Sequence, residues 1–311
     1  MRWRTRLGAL GLISLLAGAL LAPAPASARY LPGDEPPADD WLSVVNYYRA
    51  TAYLLPVTAS DLLSRGAQLH AEYMVRNDSI GHSENPTKPG YTVEGNTAAG
   101  SSNVAGGSED ATPRDMIEMW MRGPFHALGI LRPGLERVGF GIAHDNSGLK
   151  TAAALDVIRG LEAPGEVDYP VSWPGNGTTQ PIGTYWGGEY PNPLSKCGYE
   201  SPTGVPLIVQ FGRPVDVSSF SLTDDQGNGL PACEYDGSNY RNPDAAAQEL
   251  GRLLLAGNNA AVVVPRGPLV PGRTYTFSVT SNGVRSESTF TVTDLEGARV
   301  SAIRVANRSC R

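Results

Sequence analysis

The apolar residues of this chain recur with two different periods, and the change near residue 165 limits the folds open to it. Before that point the pattern is helical. In Trp41-Leu42-Ser43-Val44-Val45-Asn46-Tyr47-Tyr48-Arg49, apolar side chains fall at 41, 44, 45 and 48, which is one helix face, with Asp39 or Asp40 as its cap. Ser60-Asp61 opens a second helix through Leu62, Leu63, Ala67, His70, Tyr73 and Met74. Thr112-Pro113-Arg114-Asp115 opens a third: Thr112 suits the N-cap, Pro113 the first helical position, and Asp115 the positive end of the helix dipole. Between the second and third, residues 77–111 read as one long loop, a length that is usually functional or disordered. Residues 135–143 and 151–158 read as strands. After 165 the period falls to two, in runs at 207–211, 215–222 and 260–264. Tyr275, Phe277 and Val279 alternate, Asn282-Gly283 supplies a hairpin turn, and 284–292 returns. A single helix at 243–256, with Asn242 as cap and Gly257 as stop, interrupts this half. The two patterns predict an α+β half followed by an all-β half, two domains in 311 residues.

The first 28 residues belong to neither pattern. Arg2, Arg4 and Arg6 precede an uncharged run from Leu7 to Leu21, and Ala26-Ser27-Ala28 offers small residues for cleavage. The run is short for a bilayer span, so it reads as a signal peptide and the product as secreted, with no transmembrane anchor in the mature form. Removal of those three arginines takes the formal charge from −6 to −9. A surface that acidic argues against nucleic acid or an anionic membrane as partner. Residues 29–40 read as a flexible leader, 41–165 and 166–294 as the two domains, and 295–311 as a basic tail. The second domain reads as an immunoglobulin-like β-sandwich that opens on a Pro/Gly/aromatic connector containing Trp173, Tyr185, Trp186 and Tyr190. Those aromatics suit a core closed against a loop better than a sugar-stacking surface.

Export also decides the cysteines. All three, Cys197, Cys233 and Cys310, lie in the second half. In an oxidising compartment Cys197 and Cys233, 36 positions apart, are expected to pair and to leave Cys310 odd. No H-E-x-x-H, C-x-x-C, G-x-S-x-G or Gly-rich phosphate loop occurs. Of four histidines, His82 follows the second helix and His126 the third, with Glu94 in the loop between them. His70 falls on a helix face and suits core packing, and His144 suits a turn.

Taken in order, Val45-Asn46-Tyr47-Tyr48-Arg49, Leu69-His70-Ala71-Glu72-Tyr73-Met74, Ile80-Gly81-His82-Ser83, Met119-Trp120-Met121, Gly123-Pro124-Phe125-His126, Leu131-Arg132-Pro133 and Val138-Gly139-Phe140-Gly141 resemble the CAP superfamily in its bacterial SCP-domain branch. That superfamily includes cysteine-rich secretory, antigen-five and pathogenesis-related proteins. The resemblance covers about residues 41–145. It implies a three-layer α-β-α sandwich and a cleft of two histidines and two acids that in some members binds a divalent metal such as zinc. His82 and His126 match the two histidines. Glu94 matches one acid through Glu94-Gly95-Asn96, where the family order is Gly-Glu-Asn. At the position of the second acid the chain has Gly123, so a fourth ligand would be water or another residue such as Glu84.

The resulting expectation is a cleft in which His82 and His126 face each other with Glu94 at the rim, able to hold a divalent ion weakly. No catalytic residue is assigned. The leading function is a non-enzymatic secreted protein that binds a small apolar or lipid-like ligand or a partner surface. A metal-assisted hydrolase using His82, His126 and Glu94, and a cell-envelope adhesion protein acting through the β-sandwich, are the competing readings.

Overall fold

A computed structural model describes residues 40–293. The expected signal peptide, most of the leader, the basic tail and Cys310 lie outside the described residues.

The first half begins with helix α1 (Trp41–Ala50), capped by Asp40, whose carboxylate accepts the Leu42 and Ser43 amides. Strand β1 (Thr58–Ala59) leads to α2 (Asp61–Arg76), capped by Ser60. The segment read as a loop is more ordered than its composition suggested. It contains α3 (Val93–Ala99), capped by Thr92, and strand β2 (Ser102–Gly107). Polar and small residues hid both, because α3 has only two turns and β2 is Ser-Asn-Val-Ala-Gly-Gly. Helix α4 (Pro113–Arg122) has the full capping box: Thr112 Oγ1 accepts the Asp115 amide and Asp115 accepts the Thr112 amide. It stops at Gly123, and α5 (Pro124–Ile130) starts at once, so His126 sits inside a helix rather than beyond one. Strands β3 (Arg137–His144) and β4 (Thr151–Asp156) finish the sheet, ordered β1-β3-β4-β2, with β1 parallel to β3 and the other pairs antiparallel.

The two faces of β3 explain the layers. Val138 and Phe140 face one core, where Trp41 of α1 and Trp120 of α4 both pack on the Phe140 ring. On the opposite face Ala143 joins a separate cluster with Ala67, Ala71 and Met74 of α2. Gly139 and Gly141 lie under α2. A Cβ at 139 would meet the Leu63–Ser64 backbone, and one at 141 the Ala67–Gln68 backbone. The helix therefore rests on bare strand, closer than any side chain would allow.

The second half comprises β5 (Val171–Trp173), β6 (Thr178–Gln180), β7 (Thr184–Tyr185), β8 (Thr203–Gly204), β9 (Leu207–Gln210), β10 (Val217–Asp224), β11 (Ala232–Asp236), α6 (Ala245–Gly257), β12 (Ala260–Pro265), β13 (Thr274–Ser281) and β14 (Val284–Val292). One sheet runs β10-β13-β14-β6 and another β11-β12-β9-β5, while β7 and β8 form a separate pair. The β13–β14 hairpin closes on Ser281 opposite Val284, and Asn282 and Gly283 both take positive φ, as a two-residue hairpin of this hand requires. Helix α6 is capped by Asp244 rather than Asn242: its carboxylate, two residues nearer the first turn, accepts the Ala246 and Ala247 amides. Cys197 and Cys233 are joined in a disulfide.

One hydrophobic core runs through both halves. Trp173 is buried, its ring edge-on to Tyr48 and its indole N–H donated to Thr51 Oγ1 at 3.1 Å. Gln210 donates to the Leu131 carbonyl at 2.8 Å, and Phe125 packs edge-on to Tyr240. The connector is thus part of the interior seam.

Candidate functional site

The break between α4 and α5 creates the site. Gly123 ends one helix in extended backbone and caps the next, and the turn projects His126 from the start of α5. The Asn103 side-chain amide of β2 donates to the His126 carbonyl at 3.0 Å and fixes that turn. Against it lies a segment of the connector, Trp186-Gly187-Gly188-Glu189. Gly187 and Gly188 both adopt positive φ, so the chain doubles back and delivers Glu189 inward. The Glu189 amide donates to the Tyr185 hydroxyl at 3.3 Å.

The Glu189 carboxylate is buried, with its side chain 3% exposed. Its Oε1 accepts the His126 backbone N–H at 2.9 Å and lies 2.7 Å from His126 Nδ1. Its Oε2 is buried with no hydrogen-bond partner among the described residues. A Cβ on Gly123 would fall 2.5 Å from Oε1 and 2.8 Å from Oε2, so the carboxylate occupies the space a side chain there would need. The charge is felt nearby. Burial first, and Glu189 second, push the Tyr185 hydroxyl well above its ordinary range, keeping it a neutral donor or acceptor.

Beside this pair opens a cavity of about 560 Å³, walled by Ile80, Val104, Met119, Trp120 and Trp186 with His126 and Glu189 among its polar groups. Asp115, Glu118 and Arg122 of α4 also reach it. Trp186 is 50% exposed at the mouth. The connector aromatics therefore divide: Trp173 and Tyr185 are core, while Trp186 and Tyr190 face solvent.

The other sequence-derived candidates have their own partners. His82 Nδ1 donates to the Ala99 carbonyl at 3.2 Å, at the C-terminal end of α3. Its basicity is lowered, mainly by loss of hydration and then by the nearby His126 and His70, against the raising effect of the Ala99 carbonyl. His82 and His126 are therefore neighbours close enough to feel each other's charge. Glu94 sits in the first turn of α3 and pairs at 3.1 Å with Arg65 of α2, both side chains at least half exposed. Glu84 is buried and turned away, with Oε1 2.9 Å from His70 Nδ1 and Oε2 accepting the Thr92 amide at 3.1 Å. His70, expected in the core, is fully buried there and donates from Nε2 to the Gly81 carbonyl at 2.9 Å. His144 closes the end of β3 against Thr151. Among the described residues no group of three or more His, Cys, Asp or Glu is placed to hold a metal ion.

Glu189 was missed because nothing local marks it. Its only sequence signal is the adjacent Gly-Gly, which licenses a sharp turn but does not say where the turn points.

No helix among the described residues is long and apolar enough to cross a membrane. No curated protein matches the chain. Residues 42–156, which span α1 through β4, match the family model described as CAP, the cysteine-rich secretory protein family.

Proposed function

We propose that this is a secreted bacterial CAP protein that binds a small, largely apolar ligand without transforming it, in the cavity between the CAP domain and the connector of the second half. The observation that carries this reading is the cavity itself: about 560 Å³, mostly apolar walls, and a few convergent polar groups at one side. That volume suits a molecule of drug or short-lipid size. The exposed Trp186 and Met119 at its wall offer contact area that a protein without a ligand has little reason to leave in water.

Secretion is supported by the basic-apolar-small order of residues 2–28 and by the Cys197–Cys233 bond. A three-layer α-β-α arrangement for 41–165 is supported by the separate clusters on the two faces of β3 and β4. An immunoglobulin-like sandwich for 166–294 is supported by its two four-stranded sheets and shared core. A divalent cation is a second, weaker occupant: His126 lines the cavity with Nδ1 turned to Glu189, and His82 lies close enough for its basicity to be lowered by the His126 charge.

The test uses the full chain recovered from culture medium. Native mass spectrometry with organic extraction should find an apolar small molecule at one copy per chain. Titration with 1-decanol should change tryptophan fluorescence, and Met119→Asp should weaken that response at least about tenfold. A protein that carries nothing and ignores the alcohol would end this reading.

A further inference from the structure

The cleft contains a carboxylate whose placement the CAP domain alone does not explain. Glu189 lies 33 residues beyond the end of the family match, yet it is buried against a residue inside it. Three independent features put it there. The consecutive positive-φ glycines 187 and 188 fold the connector back. Gly123 leaves its Cβ space empty, and the carboxylate fills that space. His126 offers two protons, from its backbone N and from Nδ1, to the same oxygen.

That last point decides which ring nitrogen carries hydrogen. Oε1 accepts the backbone N–H, so it is acting as an acceptor, and the imidazole proton facing it sits on Nδ1. In the neutral ring Nε2 is then the lone-pair nitrogen. His126 lines the cavity and is 20% exposed at its side chain, and Nε2 has no hydrogen-bond partner among the described residues. The second carboxylate oxygen, buried and unpartnered, marks the same wall as a place where the protein leaves polar capacity unused.

We propose that Glu189 is a positioning residue that makes the cleft a joint product of both halves: it locks His126 with Nδ1 protonated and Nε2 free to accept a hydrogen bond, so the cavity selects an apolar ligand that carries a hydroxyl. The apolar body lies along Met119 and Trp186, and the hydroxyl donates to Nε2. A ligand of equal size that lacks the donor leaves Nε2 dehydrated and unpaired, and binds less well. Gly123 is the permissive partner of Glu189. Any side chain at 123 competes with the carboxylate for one space, so Gly123→Ala should reproduce the loss of Glu189 without touching it.

This inference rests on the ligand reading above, and its test separates the two. In full-length protein with ¹⁵N-labelled histidine, ring spectra should show His126 unprotonated at Nε2 in the neutral state. Glu189→Ala and Gly123→Ala should both release it to a tautomer mixture, while Glu189→Asp should keep part of the preference. His70 and His82 serve as internal controls for folding, since neither touches Glu189. 1-Decanol should shift the His126 Nε2 signal and bind about fivefold more tightly than its methyl ether, a preference lost in both alanine variants. If His126 keeps its tautomer in both, Glu189 does not position it and the inference falls. If the tautomer responds as expected but alcohol and ether bind alike, the hydroxyl selection is wrong. Failure of both probes to bind, with the tautomer response intact, would instead remove the ligand reading and leave the positioning role standing.

Discussion

Arg49 shows how a single side chain can organise a domain. It is fully buried, and its guanidinium donates to the carbonyls of Leu55, Ile130, Arg132 and Leu135. Burial lowers it to about 10, so it stays charged at neutral pH and needs every one of those acceptors. Arg49→Ala would leave the Leu55, Ile130 and Leu135 carbonyls without this donor, while the Arg132 carbonyl keeps the Leu135 amide, and is expected to cost about 4 kcal/mol in urea unfolding; a loss under about 1 kcal/mol would refute this account. Glu234 carries a different signal. Burial first, and Asp236 second, push its carboxyl up to about 7, while Asn239 and Lys196 pull it back. A group with a raised folded value favours the folded state at low pH, and that contribution is lost as pH rises from its ordinary value through about 7. Melting temperature should therefore decline between pH 5 and 8, and Glu234→Gln should flatten that decline. Identical slopes for the two proteins would exclude Glu234 as its source.

Among the elements, α2 and β3 meet through glycine rather than through interdigitated side chains. Gly141→Ala would set a methyl against the Ala67–Gln68 backbone, where no rotamer change can relieve it. A loss of about 3 kcal/mol or more is expected, against little change or a slight gain for Gly257→Ala at the end of α6, whose Cβ would meet nothing. Thermal unfolding of the two variants side by side checks this; equal effects would mean that the close approach is not a determinant of stability. On α4, Thr112→Ala removes the side-chain acceptor of the capping box and should cost about 1 kcal/mol.

At the scale of the whole molecule, the two halves share one hydrophobic core among the described residues. Residues 162–166 are exposed, and a protease can reach them. The segments on either side are held by Trp173, Gln210, Phe125 and the Glu189–His126 pair rather than by that link. The sequence pattern alone suggests a folded fragment released near 165. The packed seam leads instead to a nicked protein whose two pieces co-elute under native conditions and melt in a single transition, and separation on nicking would refute it. The Cys197–Cys233 bond lies wholly in the second half, so it cannot hold the pieces together. Its reduction should cost roughly 3 to 4 kcal/mol by the loop-entropy argument, as read by unfolding with and without reductant.

Much of this was legible in the chain itself. The hydrophobic period marked α1, α2, α4 and the β13–β14 hairpin, because apolar spacing and turn chemistry act over a few residues. Cap residues marked where α1, α2 and α4 begin. Other features depended on distance. Helix α3 and strand β2 are too short and polar to signal themselves, and they form because α2 and β4 receive them. The partners of Glu94 and Glu84 are Arg65 and His70, chosen by packing across elements. Glu189 is 63 residues from His126, and no local pattern links them. A carboxylate finds an imidazole at that range only when two glycines turn the chain and a third leaves room, and that is a decision of tertiary structure.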